Sequence, residues 1–400
     1  MSIASSSVER GPGGLPRDYA AEIRRLAPRF AARAAKADRG GEYVHETIAD
    51  LIRSGYTSAT VKRKYGGGEA SLEELCRAQE TLASACASSA FILNMHLHGV
   101  GMLNLLEGNQ LDWAFEAIVR DGALIAGGFS EPGVGGNWWY PTTVARRAPG
   151  GYVLSGRKGF FTGFPSARLL FLTAALKNDR GLSDGVGFLV PTPLEGVRVE
   201  RPWDACGMRA TGSHSLVLED VAVDERYLVG KPGDLPMLFM KAVRWAWCSF
   251  SSCFVGIACA ALDHVTRSMV ERRIAVLDKP LAHLPGVQFH VAEMRMRLES
   301  ARSLLYQVAR QDKGLDPDPI QTYTDVSLMK RTICALCAEV VSLAMRTVGG
   351  SAYVASNPVQ QMMRDVAAGP LLPPAGDLVL EWAGKLALGV PVLAEPRWGE

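Results

Sequence analysis

Hydrophobic spacing divides the chain into three textures. From Pro16, stretches such as DYAAEIRRLAPRFAARAAKA and HETIADLIRSG place apolar residues three and four apart, the period of an amphipathic helix. The following GGGEASLEELCRAQETLASACASSAFILNMHLHGVGMLNLLEG adds two or three helices, opened by Ser71 with Glu74 three residues on, a capping-box spacing. Near Leu124 the pattern changes. Runs such as ARLLFLTAALK, DGVGFLVP, VRVERPW and SLVLEDVAV are short, β-branched or alternating, and separated by Gly, Pro and Asp, which predicts strands. From Leu235 helical periodicity returns, with long segments at 236–274, 286–312 and 319–347. The expected organisation is a mobile tail over 1–15, a helical domain over 16–123, a β-domain over 124–234 and a helical bundle over 235–400, an α+β chain without internal repeats.

Composition narrows the class. A hydrophobic content of 48% with 21% charged residues is that of a globular protein with a large core. The net charge of +2, with both signs interspersed, gives no basic block for a nucleic acid. Eight cysteines lie mostly in apolar helical stretches; Cys334 and Cys337 fall one turn apart on a helix and are expected as buried small hydrophobes, not as a metal or redox pair. No signal peptide is evident, so reduced thiols and a cytoplasmic location are expected. Trp245 to Leu262 is uncharged and touches the length of a membrane span. Its Ser, Cys and Gly content and its unbroken run into DHVTRSMVERR instead predict the central helix of a soluble bundle.

The chemistry concentrates between Leu124 and Thr162, LIAGGFSEPGVGGNWWYPTTVARRAPGGYVLSGRKGFFT. An uncharged strand runs into a loop in which Gly133, Gly135 and Gly136 free the backbone for close approach. A second strand ends in Phe160-Phe161-Thr162. Backbone N–H groups and a hydroxyl beside aromatic rings suit a flat heterocycle with a polar edge.

FSEPGVGG followed by GYVLSGRKGFFTG resembles the flavin-binding signature of the acyl-CoA dehydrogenase family, T/S-E-P-x-x-G-S and G-x-K-x-[WF]-I-T. The resemblance extends over nearly the whole chain and implies a helical domain, a β-barrel-like domain and a C-terminal four-helix bundle around FAD. On it, Phe129 and Ser130 match positions facing the pyrimidine side of the isoalloxazine, and Gly135 and Gly136 the turn near the pyrophosphate. Phe160, with Phe161 beside it, matches the aromatic at the ring, and Thr162 the hydroxyl near N5. PWDACGMRATGSHSLVLEDVAV resembles the family segment closing the β-domain. ERR (271–273) resembles the opening of a motif whose arginine reaches the neighbouring subunit's FAD phosphates; Arg272 is the first choice and Arg273 the alternative. RTVGGSAY resembles the loop that clasps the adenine end, with Arg346 where Gln is usual and Gly349-Gly350 retained. These loops imply a homodimer or homotetramer.

The likeness fails at the proton acceptor. Thioester dehydrogenation needs a carboxylate to remove the α-proton while hydride leaves for the flavin. The family places that Glu after M-R-D; here MRD (363–365) is followed by VAAGPLLPPAG, with Pro373-Pro374 in its region. A minority place it on the preceding long helix beside an Arg, where this chain has Ala246 and Trp247. Substitute candidates are Asp377 and Glu381 past the double proline, and His98 on the helix that floors the acyl pocket in relatives. His96, His98, Trp245 and Trp247 are the expected pocket residues, and Asp377 also reads as a helix N-cap.

Two activities follow from the resemblance, which ranks thioester dehydrogenation first despite the missing Glu. The first is α,β-dehydrogenation of an acyl thioester, on CoA or a carrier protein, with a displaced base and an electron-transfer flavoprotein as partner. The second is a monooxygenase taking reduced flavin, FMN or FAD, from a partner reductase to hydroxylate an aromatic or amine substrate with O₂. Trp245, Trp247 and the two histidines suit the second, whereas the lack of a histidine after His290 counts against it. A catalytically silent flavin-binding paralogue is the third possibility. No metal, nucleic acid or membrane is expected.

Overall fold

A computed structural model describes residues 14–15, 18–106, 108–134, 141–177, 183–276, 278–311 and 318–392. Five helices open it: α1 (Tyr19–Gly40), α2 (His45–Arg53), α3 (Leu72–Ala85), α4 (Ala87–Leu103) and α5 (Asp112–Asp121). Asp18 caps α1 by accepting from the Ala21 N–H at 2.9 Å. The capping box at α3 is present, Ser71 Oγ accepting from Glu74 N and Glu74 accepting from Ser71 N. Helix α4 is buried on nearly every side, so it is a core element and not a surface amphipath.

The middle domain comprises β1 (Leu124–Gly128), β2 (Val144–Ala148), β3 (Gly151–Phe161), β4 (Ala167–Lys177), β5 (Ser183–Pro191), β6 (Val197–Arg201), β7 (His214–Asp224) and β8 (Leu228–Val229). Their order is β6-β7-β3-β2-β4-β5-β8, with β1 paired in parallel to β4. Tyr152, Leu154, Phe161, Phe188, Leu216 and Val221 fill its interior.

The C-terminal part has α6 (Leu235–Lys241), α7 (Val243–Glu271), the hairpin β9 (Arg273–Ile274) and β10 (Lys279–Pro280), α8 (Pro285–Ala309), α9 (Pro319–Val348), α10 (Pro358–Val366), α11 (Ala368–Leu371) and α12 (Gly376–Ala387). The expected helix over 236–274 is divided at Ala242, and its end at Arg272 turns to extended backbone to enter the hairpin. Helix α7 and the stretch 319–353 are long and apolar enough to cross a membrane by length and composition, and 67% and 44% of their apolar windows are buried inside the fold. Helices α3 and α9 cover α7, which places its uncharged run in a protein core. Cys334 and Cys337 are both fully buried, as small hydrophobes.

Two polar nodes lock these layers. Glu80 of α3 accepts from Arg302 (2.7 Å) and Tyr306 (2.5 Å) of α8. The β6–β7 loop reaches both helical domains: Arg364 of α10 holds Asp38 of α1 at 2.5 Å and donates to the Cys206 carbonyl at 2.7 Å. Its neighbour Asp365 accepts from the Met208 N–H at 2.6 Å.

Helix α7 crosses α3 at Gly256, where a Cβ would run into the Glu80 carbonyl and lie 2.7 Å from Ala83 Cβ. Gly256→Ala is therefore expected to destabilise the protein by about 1–3 kcal/mol through overpacking, more than the helix-propensity gain of Ala restores; urea denaturation measures it.

Candidate functional site

The end of the β-domain that follows β1 is built on a buried charge pair. Glu131 and Lys158, 7% and 1% exposed, form a salt bridge, and Lys158 Nζ also donates to Thr173 Oγ1 at 2.9 Å. Glu131 further accepts from the Thr142 N–H and hydroxyl and from the Thr143 N–H at 2.9 Å. Burial alone would raise the Glu131 pKa; Lys158 and these donors outweigh burial and hold it below the usual carboxylate range. The pair ties both ends of the glycine loop to β3. Gly135 and Gly136 lie outside the described residues.

Ser130 is drawn to β3 through the Gly159 N–H, which donates to its carbonyl at 2.8 Å. The β3–β7 register then slips between Lys158 and Phe161, with Phe160 at φ +56°. Such a bulge lets Lys158 and Phe161 both face inward and pushes the Phe160 ring out, 59% exposed. Phe161, expected among the flavin contacts, is corrected: it is fully buried in the β-domain core. The Phe129 side chain likewise packs away from this surface, 4.9 Å from the Phe239 ring and 5.7 Å from Phe171.

Thr162 ends a hydroxyl relay. Thr211 donates to the Met208 carbonyl at 2.9 Å, so it accepts from Ser213 (2.7 Å), which in turn accepts from Thr162 (2.8 Å). The relay spends Thr162's proton and leaves its oxygen as an acceptor. An exposed ring, a hydroxyl acceptor and a fixed backbone edge fit a flat heterocycle.

The facing wall is the seam of α4 and α7. His98, Met95, Gly99 and Met102 of α4, with Gly127, Phe129 and Phe171, line a small apolar cavity of about 10 Å³, room for about one water. Trp245 lies on Gly101, where a Cβ would come within 2.6 Å of the indole. Phe250 is the hub, 5.4 Å from Phe91, 5.7 Å from His98 and 5.7 Å from Trp247, centroid to centroid.

The two histidines separate in role. His96, expected in the pocket, is instead a strut: Nε2 donates to the Thr57 carbonyl at 2.7 Å, and Nδ1 accepts from the Ile125 N–H at 3.0 Å. Both nitrogens are spent, so it offers nothing to a substrate. His98 stays at the cavity; Nδ1 donates to the Asn94 carbonyl at 2.8 Å, leaving Nε2 as the acceptor. Burial lowers both pKa values to about 4.

The carboxylate candidates do not gather here. Asp377 is exposed in the first turn of α12, whose N-cap is Ala375, so the N-cap expectation for Asp377 is also corrected. Glu381 of the same helix pairs with Lys385 at 3.0 Å. The group that does reach Pro373-Pro374 is Lys330 of α9, 1% exposed. It donates to the Leu372 carbonyl at 2.5 Å and the Pro374 carbonyl at 3.2 Å, and its Nζ stands over the Trp247 ring, 5.9 Å from the centroid. Burial pushes its pKa down.

At the other end of α7, Arg272 donates to the Val348 carbonyl at 3.0 Å. This joins the two loops that carry Arg272 and exposed Arg346, Gly349 and Gly350. Arg273 is engaged separately with Asp278 at 2.7 Å.

Sequence reasoning missed Glu131, Lys158 and Lys330. Lys330 carried a signal: the buried positions 323, 326, 327, 330, 333, 334 and 337 of α9 trace one helical face, with a lysine in the middle of it.

Removing one partner of a buried ion pair leaves an uncompensated charge, so Lys158→Met should cost about 3–5 kcal/mol and Lys158→Met with Glu131→Leu much less; urea denaturation of the three proteins decides it. His96 titrates near 4 in the fold against 6.5 unfolded, so the unfolded chain takes the proton first. Stability from this group is full above about pH 6.5 and falls by about 3 kcal/mol as pH drops to about 4. His96→Gln should lack that share of the acid slope when unfolding midpoints are followed across this range.

Comparison with known proteins agrees with this architecture. Acyl-CoA dehydrogenase family models match in chain order: the N-terminal domain over residues 17–110, the middle domain over 126–221 and the C-terminal domain over 248–371. YdbM of Bacillus subtilis (strain 168), a protein provisionally named an acyl-CoA dehydrogenase, is 33% identical over 383 residues, 91% of this chain and 95% of that protein. Indole-3-acetate monooxygenase of Pseudomonas putida is 27% identical over 374 residues, 90% of each chain. The solved structure of butyryl-CoA dehydrogenase from Megasphaera elsdenii superposes with a TM-score of 0.84 at 25% identity, covering 93% of this chain and 98% of that one. The chain belongs to the acyl-CoA dehydrogenase family of flavin oxidoreductases.

Proposed function

We propose that this chain is a flavin-dependent monooxygenase on the acyl-CoA dehydrogenase fold, oxidising a small aromatic or amine substrate with reduced flavin and O₂. The observation that carries the reading is the Pro373-Pro374 turn, in the region where the family resemblance expects the catalytic Glu, with Lys330 rather than a carboxylate against it. Removal of a thioester α-proton needs an acceptor matched to the task. Proline has none, Lys330 donates to two carbonyls, and His98, held to about 4, is a weak base. Oxygen insertion does not require that base. The similarity to indole-3-acetate monooxygenase over 90% of the chain supports the same direction.

Flavin, when bound, supplies the reducing equivalents and the reaction with O₂. Ser130, Phe160 and Thr162 would hold the ring system, and Arg272, Arg346, Gly349 and Gly350 of a second copy the phosphate and adenine end. The Thr162 oxygen, left as an acceptor by the Ser213 relay, suits a ring N–H such as reduced flavin presents. Trp245, Trp247 and Phe250 keep the facing wall dry. A homodimer is the simplest assembly, and exposed apolar groups in the C-terminal domain, Phe289 (74%), Met296 (61%) and Tyr353 (87%), favour such a contact.

Thioester dehydrogenation is the second reading, favoured by the 33% identity with YdbM and the likeness to butyryl-CoA dehydrogenase. The two separate cleanly. Purified protein loaded with FMN or FAD should keep its visible spectrum with butyryl-CoA under anaerobic conditions, and flavin reduced by dithionite should be reoxidised by O₂ in its presence with product formed from an indole or arylamine panel. Anaerobic bleaching by butyryl-CoA sinks the monooxygenase reading. Phe289→Asp should shift the assembly toward monomer by light scattering and weaken flavin binding about tenfold or more, because half of each flavin site then departs.

A further inference from the structure

Met208 is bent into the left-handed region, φ +51°, a conformation that costs a residue with a long side chain and needs support from its surroundings. The support is a buried carboxylate from the C-terminal helices. Asp365 of α10, 2% exposed, accepts from the Met208 N–H at 2.6 Å. Burial pushes the Asp365 pKa up to about 6, so at neutral pH the group is ionised and the bond is charge-assisted. On the preceding residue, Gly207, a Cβ would run into the Arg364 carbonyl, so the chain is pressed against α10 at this bend.

From there the Met208 carbonyl reaches both groups of the candidate flavin surface. It accepts from Trp203 Nε1 at 2.9 Å, and the Trp203 ring stands edge-on to Phe160, 6.0 Å between centroids and 90° between planes. It also accepts from Thr211 Oγ1 at 2.9 Å, the start of the run through Ser213 to Thr162. The Thr211 carbonyl accepts in turn from the Gly163 N–H at 3.0 Å, next to Thr162. Each hydroxyl has one proton, so the carbonyl at the far end decides which way all three point. With Met208 accepting, Thr162 presents lone pairs. Without it, Thr211 and Ser213 can turn, and Thr162 is free to donate. The two redox states of a flavin meet these alternatives differently: the reduced ring has an N–H where the oxidised ring has a bare nitrogen.

We propose that Asp365 is a positioning residue for the flavin: by holding Met208 in its bend it fixes the direction of the Thr211–Ser213–Thr162 hydroxyls, and so tilts the site toward reduced flavin. A helix of the C-terminal part thereby takes a share in the redox poise of a site on the β-domain. The inference deepens the proposed function and rests on its placement of the ring at Thr162.

Redox titration of FMN against a reference dye, free and bound to the full-length protein, reads the ratio of oxidised to reduced dissociation constants, about 30 mV for each factor of ten. Asp365→Leu, similar in shape but without the acceptor, is expected to lower the bound midpoint by about 30 mV, a tenfold loss of the preference for reduced flavin. Asp365→Asn keeps an acceptor oxygen and should restore most of it; Asp365→Ala serves if Asp365→Leu does not fold. Thr211→Val should give the same fall and Thr211→Ser should not. Asp365→Leu combined with Thr211→Val should fall no further than the larger single change, because both act through one carbonyl. Gly256→Ala, the destabilising change at the α3–α7 crossing, should leave the midpoint at the wild-type value. The proposal is overturned by additive falls, by an equal fall in Gly256→Ala, or by an unmoved midpoint in the Asp365 and Thr211 variants while Thr162→Val does shift it. A midpoint that Thr162→Val also leaves unmoved takes the ring away from Thr162 and overturns both the proposal and the placement beneath it.

Discussion

The relative placement of the three domains depends on Arg364. Its guanidinium grips Asp38 at the end of α1 and the Cys206 carbonyl of the β6–β7 loop, while Asp365 beside it accepts from Met208. Asp38 is 5% exposed and Asp365 2%, so both carboxylates are largely out of water, Asp38 held by Arg364 and Asp365 by the Met208 N–H. Breaking one partner of such a set costs several kcal/mol, because the remaining charge is stranded. Gly207 is pressed against the Arg364 carbonyl, and no side chain fits between them. The consequence is geometric. The Thr162–Ser213–Thr211 relay ends on Met208, the residue whose N–H Asp365 holds, so the hydroxyl at the candidate flavin surface is registered to the C-terminal helices through four hydrogen bonds.

Elements with one local cause were legible in the sequence. Ser71 and Glu74 announce the start of α3 because a capping box needs only those two groups at that spacing. The strands between Leu124 and Val229 show their alternation, and the uncharged run in α7 is the core helix its Ser and Cys content suggested. What stayed hidden depends on more than one element. Strand alternation alone would turn Phe160 and Phe161 to opposite faces, but which face is inward is set by the slip against β7. His96 resembled a pocket residue two positions from His98, yet it is consumed by Thr57 and Ile125, far off in the chain. Asp377 suited an N-cap, and the helix begins two residues earlier than that role allows.

The buried lysines show a different kind of miss. Lys158 and Lys330 are both about 1% exposed, and nothing in composition distinguishes them from the many exposed Lys and Arg. Lys158 is satisfied by a carboxylate in the middle of the glycine loop, within the very motif that pointed to the cofactor. Reading that motif for its glycines and hydroxyls passed over its one charge. Lys330 has carbonyl partners from a turn forty residues on, so only its place on the apolar face of α9 betrays it.

These cases converge on the polarity of the reaction site. A dehydrogenase of this family needs an acceptor for a proton beside the flavin; in the region where the resemblance expects it, this chain has a proline pair whose turn is held by the Lys330 ammonium. Donors and a positive charge oppose loss of a proton to the protein, since they lower the basicity of any group introduced beside them. They favour instead a bound group that is rich in lone pairs and stays unprotonated. On the proposed reading, Pro373→Glu alone would not make this site a dehydrogenase: the new carboxylate would stand in the turn whose Leu372 and Pro374 carbonyls Lys330 holds, and a nearby ammonium lowers a carboxylate's pKa away from what a general base needs.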